Sequence, residues 1–228
     1  RRHYYNRLYP RLKLSPEMKA DTSKAIEGLT DPLRKAEAIF RMVEKRVKTP
    51  GSSVSLNTSA HLVYSMRGGN MLVVLKSLYD HAGIPSDIVF TYSQTQALPV
   101  LEVPSLGTYR YGLLRLHLGD NRKWIDPTSR KMPFGYLPPA LGGTKGLRIS
   151  DDGDTFIEIP EPPSEQDQLF TRWTADVSAQ GAIKSVIEES YSGSLAGAIR
   201  RVEETYTLQQ WTQFIERNVN YSITIGIS

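Results

Sequence analysis

Few residues of this 228-residue chain could carry covalent chemistry, and one class is missing altogether: there is no cysteine. Disulfides and thiolate metal sites are therefore excluded. Four histidines, His3, His61, His81 and His117, are scattered, with no HxxxH or HExxH pair, so the spacing of a zinc site is absent. No glycine loop has P-loop spacing. Asp151-Asp152-Gly153-Asp154 looks superficially like a calcium loop, but lacks the acidic ligand series and the bidentate Glu such a loop needs. A turn between strands is the better reading. Ser65 and His117 remain as remote candidates for a serine nucleophile and its base. No metal or cofactor is expected.

The stretch with the clearest arrangement for chemistry is Arg67 to Pro85, RGGNMLVVLKSLYDHAGIP. Two glycines and an asparagine permit a tight turn with positive φ. Met71 to Ala82 then reads as an apolar helix, with Leu72, Leu75, Leu78 and Tyr79 at helical spacing. Gly83 suits the position just past its end, and Pro85 forbids continuation. A turn feeding the N-terminus of a buried helix suits a nucleophile, because the positive end of the helix dipole stabilises a thiolate. The same pattern also describes a core helix with a glycine entry. A second stretch, RYGLLRLHLGDNRKWIDPTSRKMPFGYLPPALGG, carries Asp126 in the run Trp124 to Thr128.

Together these stretches resemble the transglutaminase-like (papain-like) superfamily. There, a short glycine-containing turn precedes a catalytic Cys on a helix with an Ala-Gly-Ile type stop. A His-bearing strand and a strand ending in W-x-D-P-T follow. The GYLPP extension is similar to a bacterial subgroup in which the domain lies between β-rich domains. The resemblance covers roughly residues 31–143 and implies an α+β fold with helices packed on an antiparallel sheet. Carried over residue by residue, it places the catalytic Asp on Asp126 and the His position on Tyr111. The Cys position falls at Gly68 to Asn70, with Gly68 favoured by spacing back from Gly83. His117, six residues beyond Tyr111, stands at the wrong place in that pattern. Glycine and asparagine have nothing to attack with, and a tyrosine phenol is a poor base near neutral pH. The resemblance thus implies a degenerate triad at Gly68, Tyr111 and Asp126. It also implies a cleft between the helix and the sheet, lined by Arg67, Asn70, Tyr111, Trp124 and His61. The competing reading packs Tyr111 and Trp124 against the central helix.

The elements that must position these residues follow from local signals. Ser15-Pro16-Glu17 and Asp31-Pro32 are helix starts, each with a side-chain cap and proline at the first helical position. In the second helix Leu33, Ala36, Phe40, Val43 and Val47 mark the buried face, while Arg34, Lys35, Glu37, Arg41, Glu44 and Lys45 make a solvated face. Pro50-Gly51-Ser52-Ser53 stops that helix, and the resemblance makes Ser55 to Tyr64, with His61, the loop across the front of the groove. Ser86 to Tyr92 is a strand, Gln94 to Thr108 a long loop, and Tyr109 to Leu118 pairs with Lys123 to Ile125 as a hairpin. Met132 to Gly146 wraps irregularly over the domain. A composition shift at Ile159-Pro160-Glu161-Pro162-Pro163 marks a domain boundary. Beyond it lie strands Leu169 to Val177 and Ala182 to Tyr191, helices Leu195 to Val202 and Leu208 to Val219, and a last strand Tyr221 to Ile227.

The expected organisation is a basic arm (1–14), a transglutaminase-like domain (15–158) and a partial β-rich module with helices (165–228). The net charge is +4, but Arg1, Arg2, Arg7, Arg11 and Lys13 supply five positive charges with no acid among them. Without them 23 basic residues face 24 acidic ones, so the basic character belongs to the arm. With Tyr4, Tyr5 and Tyr9 the arm could stack on RNA or lie on an anionic membrane; a linker or edge strand is the favoured reading, and no nucleic acid is expected. No apolar run approaches the ~20 residues of a membrane-spanning helix. The chain begins without Met or a signal peptide and is read as a piece of something longer. The favoured function is a catalytically inactive transglutaminase-like domain, a pseudoenzyme binding a protein or peptide within a larger bacterial protein. A periplasmic or envelope location comes from the resemblance. The alternative is an amide-bond hydrolase or acyltransferase with a non-cysteine nucleophile.

Overall fold

A computed structural model describes residues 3–95 and 109–222. In chain order its elements are α1 (His3–Leu8), α2 (Pro16–Ala25), α3 (Pro32–Arg46), β1 (Thr49–Pro50), α4 (Ala60–Met66), β2 (Gly68–Gly69) and α5 (Met71–His81). Then come β3 (Ser86–Thr91), β4 (Tyr111–Leu118), β5 (Asn121–Ile125), β6 (Lys145–Ile149) and β7 (Thr155–Glu158). The last are β8 (Leu169–Val177), β9 (Ile183–Tyr191), α6 (Gly193–Thr205) and α7 (Leu208–Ser222). The chain divides into two compact units, Arg1–Pro163 and Ser164–Ser228. The class is α+β.

The first unit is built on an antiparallel sheet of order β5-β4-β3-β6-β7. Its local punctuation follows chain chemistry. The Ser15 hydroxyl accepts from the Met18 amide at 3.2 Å, and the Asp31 carboxylate from the Arg34 amide at 2.9 Å, so each opens a helix by satisfying an orphan donor. Gly83 follows α5 with φ of 70°, which only glycine adopts without strain, and Ile84 N closes back on Tyr79 O at 2.8 Å.

Both faces of the sheet are covered. On one, Ile88, Phe90, Leu114, Leu116, Ile125, Leu147 and Ile149 join Leu72, Leu75, Leu78 and Tyr79 of α5 in the main core, and α2, α3 and α4 pack around α5. On the other, Val89, Leu113 and Trp124 pack with Leu137, Leu141 and Ile159. The Pro- and Gly-rich segment that wraps the domain is therefore a second core layer. It buries apolar surface at roughly 25 cal/mol per Å² like any helix would.

Several local expectations are corrected. The N-terminal arm is neither a linker nor an edge strand: its described part forms α1 and a single 3-10 turn, and Leu8 is buried in the main core. Leu33 is 43 % exposed, its place on the buried face taken by Ile39. Glu44 is 6 % exposed rather than on the solvated face. Ser55 to Tyr64 is not all loop, because Ala60 to Met66 makes α4. At the C-terminus, Tyr221 and Ser222 end α7 instead of opening a strand, and residues 223–228 lie outside the described residues. So does most of the expected loop Gln94 to Thr108.

In the second unit β8 and β9 form a ribbon with Trp173 opposite Ile187 and Arg172 opposite Glu188. Its loop is closed by Ser178, whose amide donates to Ala182 O at 2.8 Å. α6 and α7 follow, α6 with Asp167 accepting from the Ser194 amide in its first turn.

Candidate functional site

The turn before α5 is shaped by backbone contact. After α3, Lys48 N donates to Arg67 O and Gly51 N to Gly69 O, both at 2.8 Å, and Thr49 pairs in parallel with Gly68. A Cβ at Gly68 would lie 2.5 Å from Thr49 Oγ1. The position the resemblance gives to the nucleophile is thus packed against the Thr49 side chain.

Asn70 is 4 % exposed and has every polar group engaged. Its Oδ1 accepts from the Leu72 amide at 2.9 Å, capping α5, and its Nδ2 donates to Ser53 O at 3.1 Å and Ser55 O at 2.7 Å. Ser53 reaches on to β4, its Oγ accepting from Gly112 N at 2.8 Å. A Cβ on Gly112 would meet Ser53 O at 2.6 Å and Leu72 Cδ1 at 3.1 Å. Gly112, not Tyr111, is therefore the β4 residue that looks toward the start of α5. The loop around Ser53 occupies the space between them.

Tyr111 points the other way. It packs beside Leu113 and Trp124 in the layer away from α5, and Trp124 is 8 % exposed. Asp126 is buried at the end of β5, where its Oδ1 accepts from Thr128 N at 2.8 Å and Thr128 Oγ1 at 2.7 Å, and its Oδ2 from Ser129 Oγ at 2.7 Å. Burial raises the Asp126 carboxyl above the usual carboxylate range, against the lowering effect of these donors. Its partners are its own turn. Among the described residues no hydrogen bond joins the three triad positions to one another.

Nor do the five expected cleft residues share a groove. His61 lies in the first turn of α4, Asn70 is the buried cap, and Tyr111 and Trp124 belong to the far face of the sheet. That layer, and not the central helix, holds both rings. Arg67 lines an open cavity together with Lys45, Arg46 and Lys48. Ser65 donates to Leu62 O and His117 Nε2 lies 2.8 Å from an Asp87 oxygen, so that pair is not assembled either.

Two polar clusters went unread in the sequence. Glu44 receives Lys131 N at 2.6 Å and Arg41 Nη1 at 3.0 Å, while Arg130 donates to Lys48 O at 2.9 Å, latching the turn after Asp126 onto α3. Asp87 accepts from Arg115 and faces His117 on β4. Burial works to raise its carboxyl, but these hydrogen bonds and charges outweigh burial and hold it below the usual range. The strand register offers the only sequence signal: Asp87 and Arg115 stand directly opposite.

No family model matches the chain, and no curated protein matches it. Among solved structures, a protein from Parabacteroides distasonis, described as a "putative protease", is similar in fold, with a TM-score of 0.50 and 17 % identity. The alignment covers 75 % of this chain and 36 % of that one, so this chain spans about a third of the solved protein's length. At that identity the likeness is one of fold. Among the described residues no helix is long and apolar enough to cross a membrane.

Proposed function

We propose that this chain is a catalytically inactive transglutaminase-like domain that binds or scaffolds a protein or peptide within a larger, envelope-associated bacterial protein. One observation carries the reading: the groups at the triad positions are spent on structure. Gly68 is pressed against Thr49, Tyr111 faces away from α5, and Asp126 serves its own turn. The loop around Ser53 fills the space where a substrate would approach the helix. Support for the binding half comes from the β8–β9 ribbon. Leu169, Trp173, Val177, Ile183, Ile187 and Tyr191 share one face by register and are all exposed, a surface of the kind that marks protein contacts.

A second reading, an amide hydrolase or acyltransferase with a non-cysteine nucleophile, draws on the protease description of the fold neighbour. Assays of ammonia release and peptide cleavage separate the two. The expected result is no turnover above buffer. Turnover that survives repurification and is abolished by Asp126→Asn in a still-folded protein overturns the inactive reading.

A further inference from the structure

Arg67, an expected cleft residue, lines a cationic pocket outside the triad positions. The cavity holds about 300 Å³ and is bounded by Asp21, Met42, Lys45, Arg46, Lys48, Tyr64 and Arg67. Four cations from three segments meet there: the last turn of α3, the link between α3 and β1, and the end of α4.

Their electrostatics are unbalanced. Arg46 is paired with Glu17 at 2.6 Å and lies 4.8 Å over the Tyr64 ring. Asp21 accepts from the Tyr64 hydroxyl at 2.6 Å. Burial, aided by that bond, raises the Tyr64 phenol, so Tyr64 keeps its proton and stays a donor to Asp21. Lys45, Lys48 and Arg67 make no side-chain ion pair among the described residues. With the Arg46–Glu17 pair neutral, three cations against Asp21 leave the pocket with a charge of +2.

The backbone holds this arrangement in place. Lys48 is fixed at both ends, its amide donating to Arg67 O at 2.8 Å and its carbonyl accepting from Arg130 Nη1 at 2.9 Å. Arg67 caps α4 in the left-handed region, φ 55° and ψ 28°, where glycine is the unstrained choice. Strained backbone retained at a charged residue is the kind of outlier that marks a ligand site. Like charges facing one cavity repel until an anion joins them, and the held backbone keeps Lys48 and Arg67 beside one another at its rim.

The geometry points to this pocket as a binding site for a phosphate-type dianion, the phosphoryl group of a small phosphate ester. The charge matches, since a phosphomonoester carries between −1.5 and −2 at about pH 7. The volume lies at the small end of the range for small-ligand sites, roughly 300–1,000 Å³. Lysines and an arginine supply the donors such a group takes.

Calorimetric titration of the whole chain with inorganic phosphate and with glycerol phosphate, at fixed low ionic strength, tests this. Saturable one-site binding is expected, weakened about tenfold or more by Lys48→Gln and by Arg67→Gly. Arg67→Gly keeps the left-handed cap and removes only the charge, so it folds. Arg172→Ala in the ribbon should bind as the wild type does. Glycerol phosphate binding at least as tightly as inorganic phosphate supports an ester as the ligand. The inference is overturned if the wild type gives no saturable heat, if both pocket variants bind like the wild type, or if equal ionic strength of chloride displaces phosphate just as well.

Discussion

Asp126 is a buried carboxylate held by its own turn. It stands where the resemblance places a catalytic Asp, and its oxygens accept three hydrogen bonds from Thr128 and Ser129. Removing it orphans these donors, so Asp126→Ala should cost about 1–3 kcal/mol. Asp126→Asn retains one acceptor oxygen for Thr128 and should cost less. The pH dependence has a definite sign. Burial raises the folded-state pKa of Asp126, so its contribution to stability is present below the unfolded pKa and lost as pH rises through the folded one. Acidification from neutrality should therefore raise the stability of the wild type relative to Asp126→Asn. Thermal melts of the three proteins from pH 7 downwards check both statements. Unchanged melting temperatures in both variants would remove the structural role. A relative loss on acidification would reverse the sign.

At the scale of elements, what matters is which face of β4 meets α5. Gly112 makes that meeting possible, because a Cβ there would collide with the Ser53 carbonyl at 2.6 Å. Backbone cannot yield as a flexible side chain can, so Gly112→Ala should displace the Ser53 loop at a cost of about 1–3 kcal/mol. In a chain of this size that lowers the melting temperature by several degrees, and an unchanged melt would show that the loop does not close on the strand. The helix caps at Ser15 and Asp31 and the glycine stop at Gly83 were legible because each is a local hydrogen-bonding or φ requirement. The facing of β4 was not. In Tyr111 to Leu118 apolar residues stand on both sides, since both faces of the sheet are buried, and alternation then carries no parity. Tyr111 and Trp124 were consequently placed on the wrong side. Glu44 escaped notice for another reason: its partner Lys131 lies 87 residues further along the chain.

At the scale of the molecule, the two units differ in how much they bury. The first has two apolar layers about one sheet. Every residue of β8 and β9 is exposed, and a two-stranded ribbon alone is marginal in water. Its two faces nonetheless differ. Leu169, Trp173, Val177, Ile183, Ile187 and Tyr191 make one of them the more apolar, while Arg172 and Glu188 stand on the other beside Phe170 and Val186. Exposed apolar residues grouped in this way are the kind of surface at which proteins dock. In the isolated chain the ribbon should then open locally far more often than the central sheet. Hydrogen exchange followed amide by amide should give β8 and β9 protection lower by orders of magnitude than β3 and β4. Mixing with a true partner should raise the ribbon's protection and leave that of β3 and β4 unchanged. Protection of β8 and β9 equal to the central strands, in dilute protein alone, would mean that the apolar face is already covered and is no docking surface.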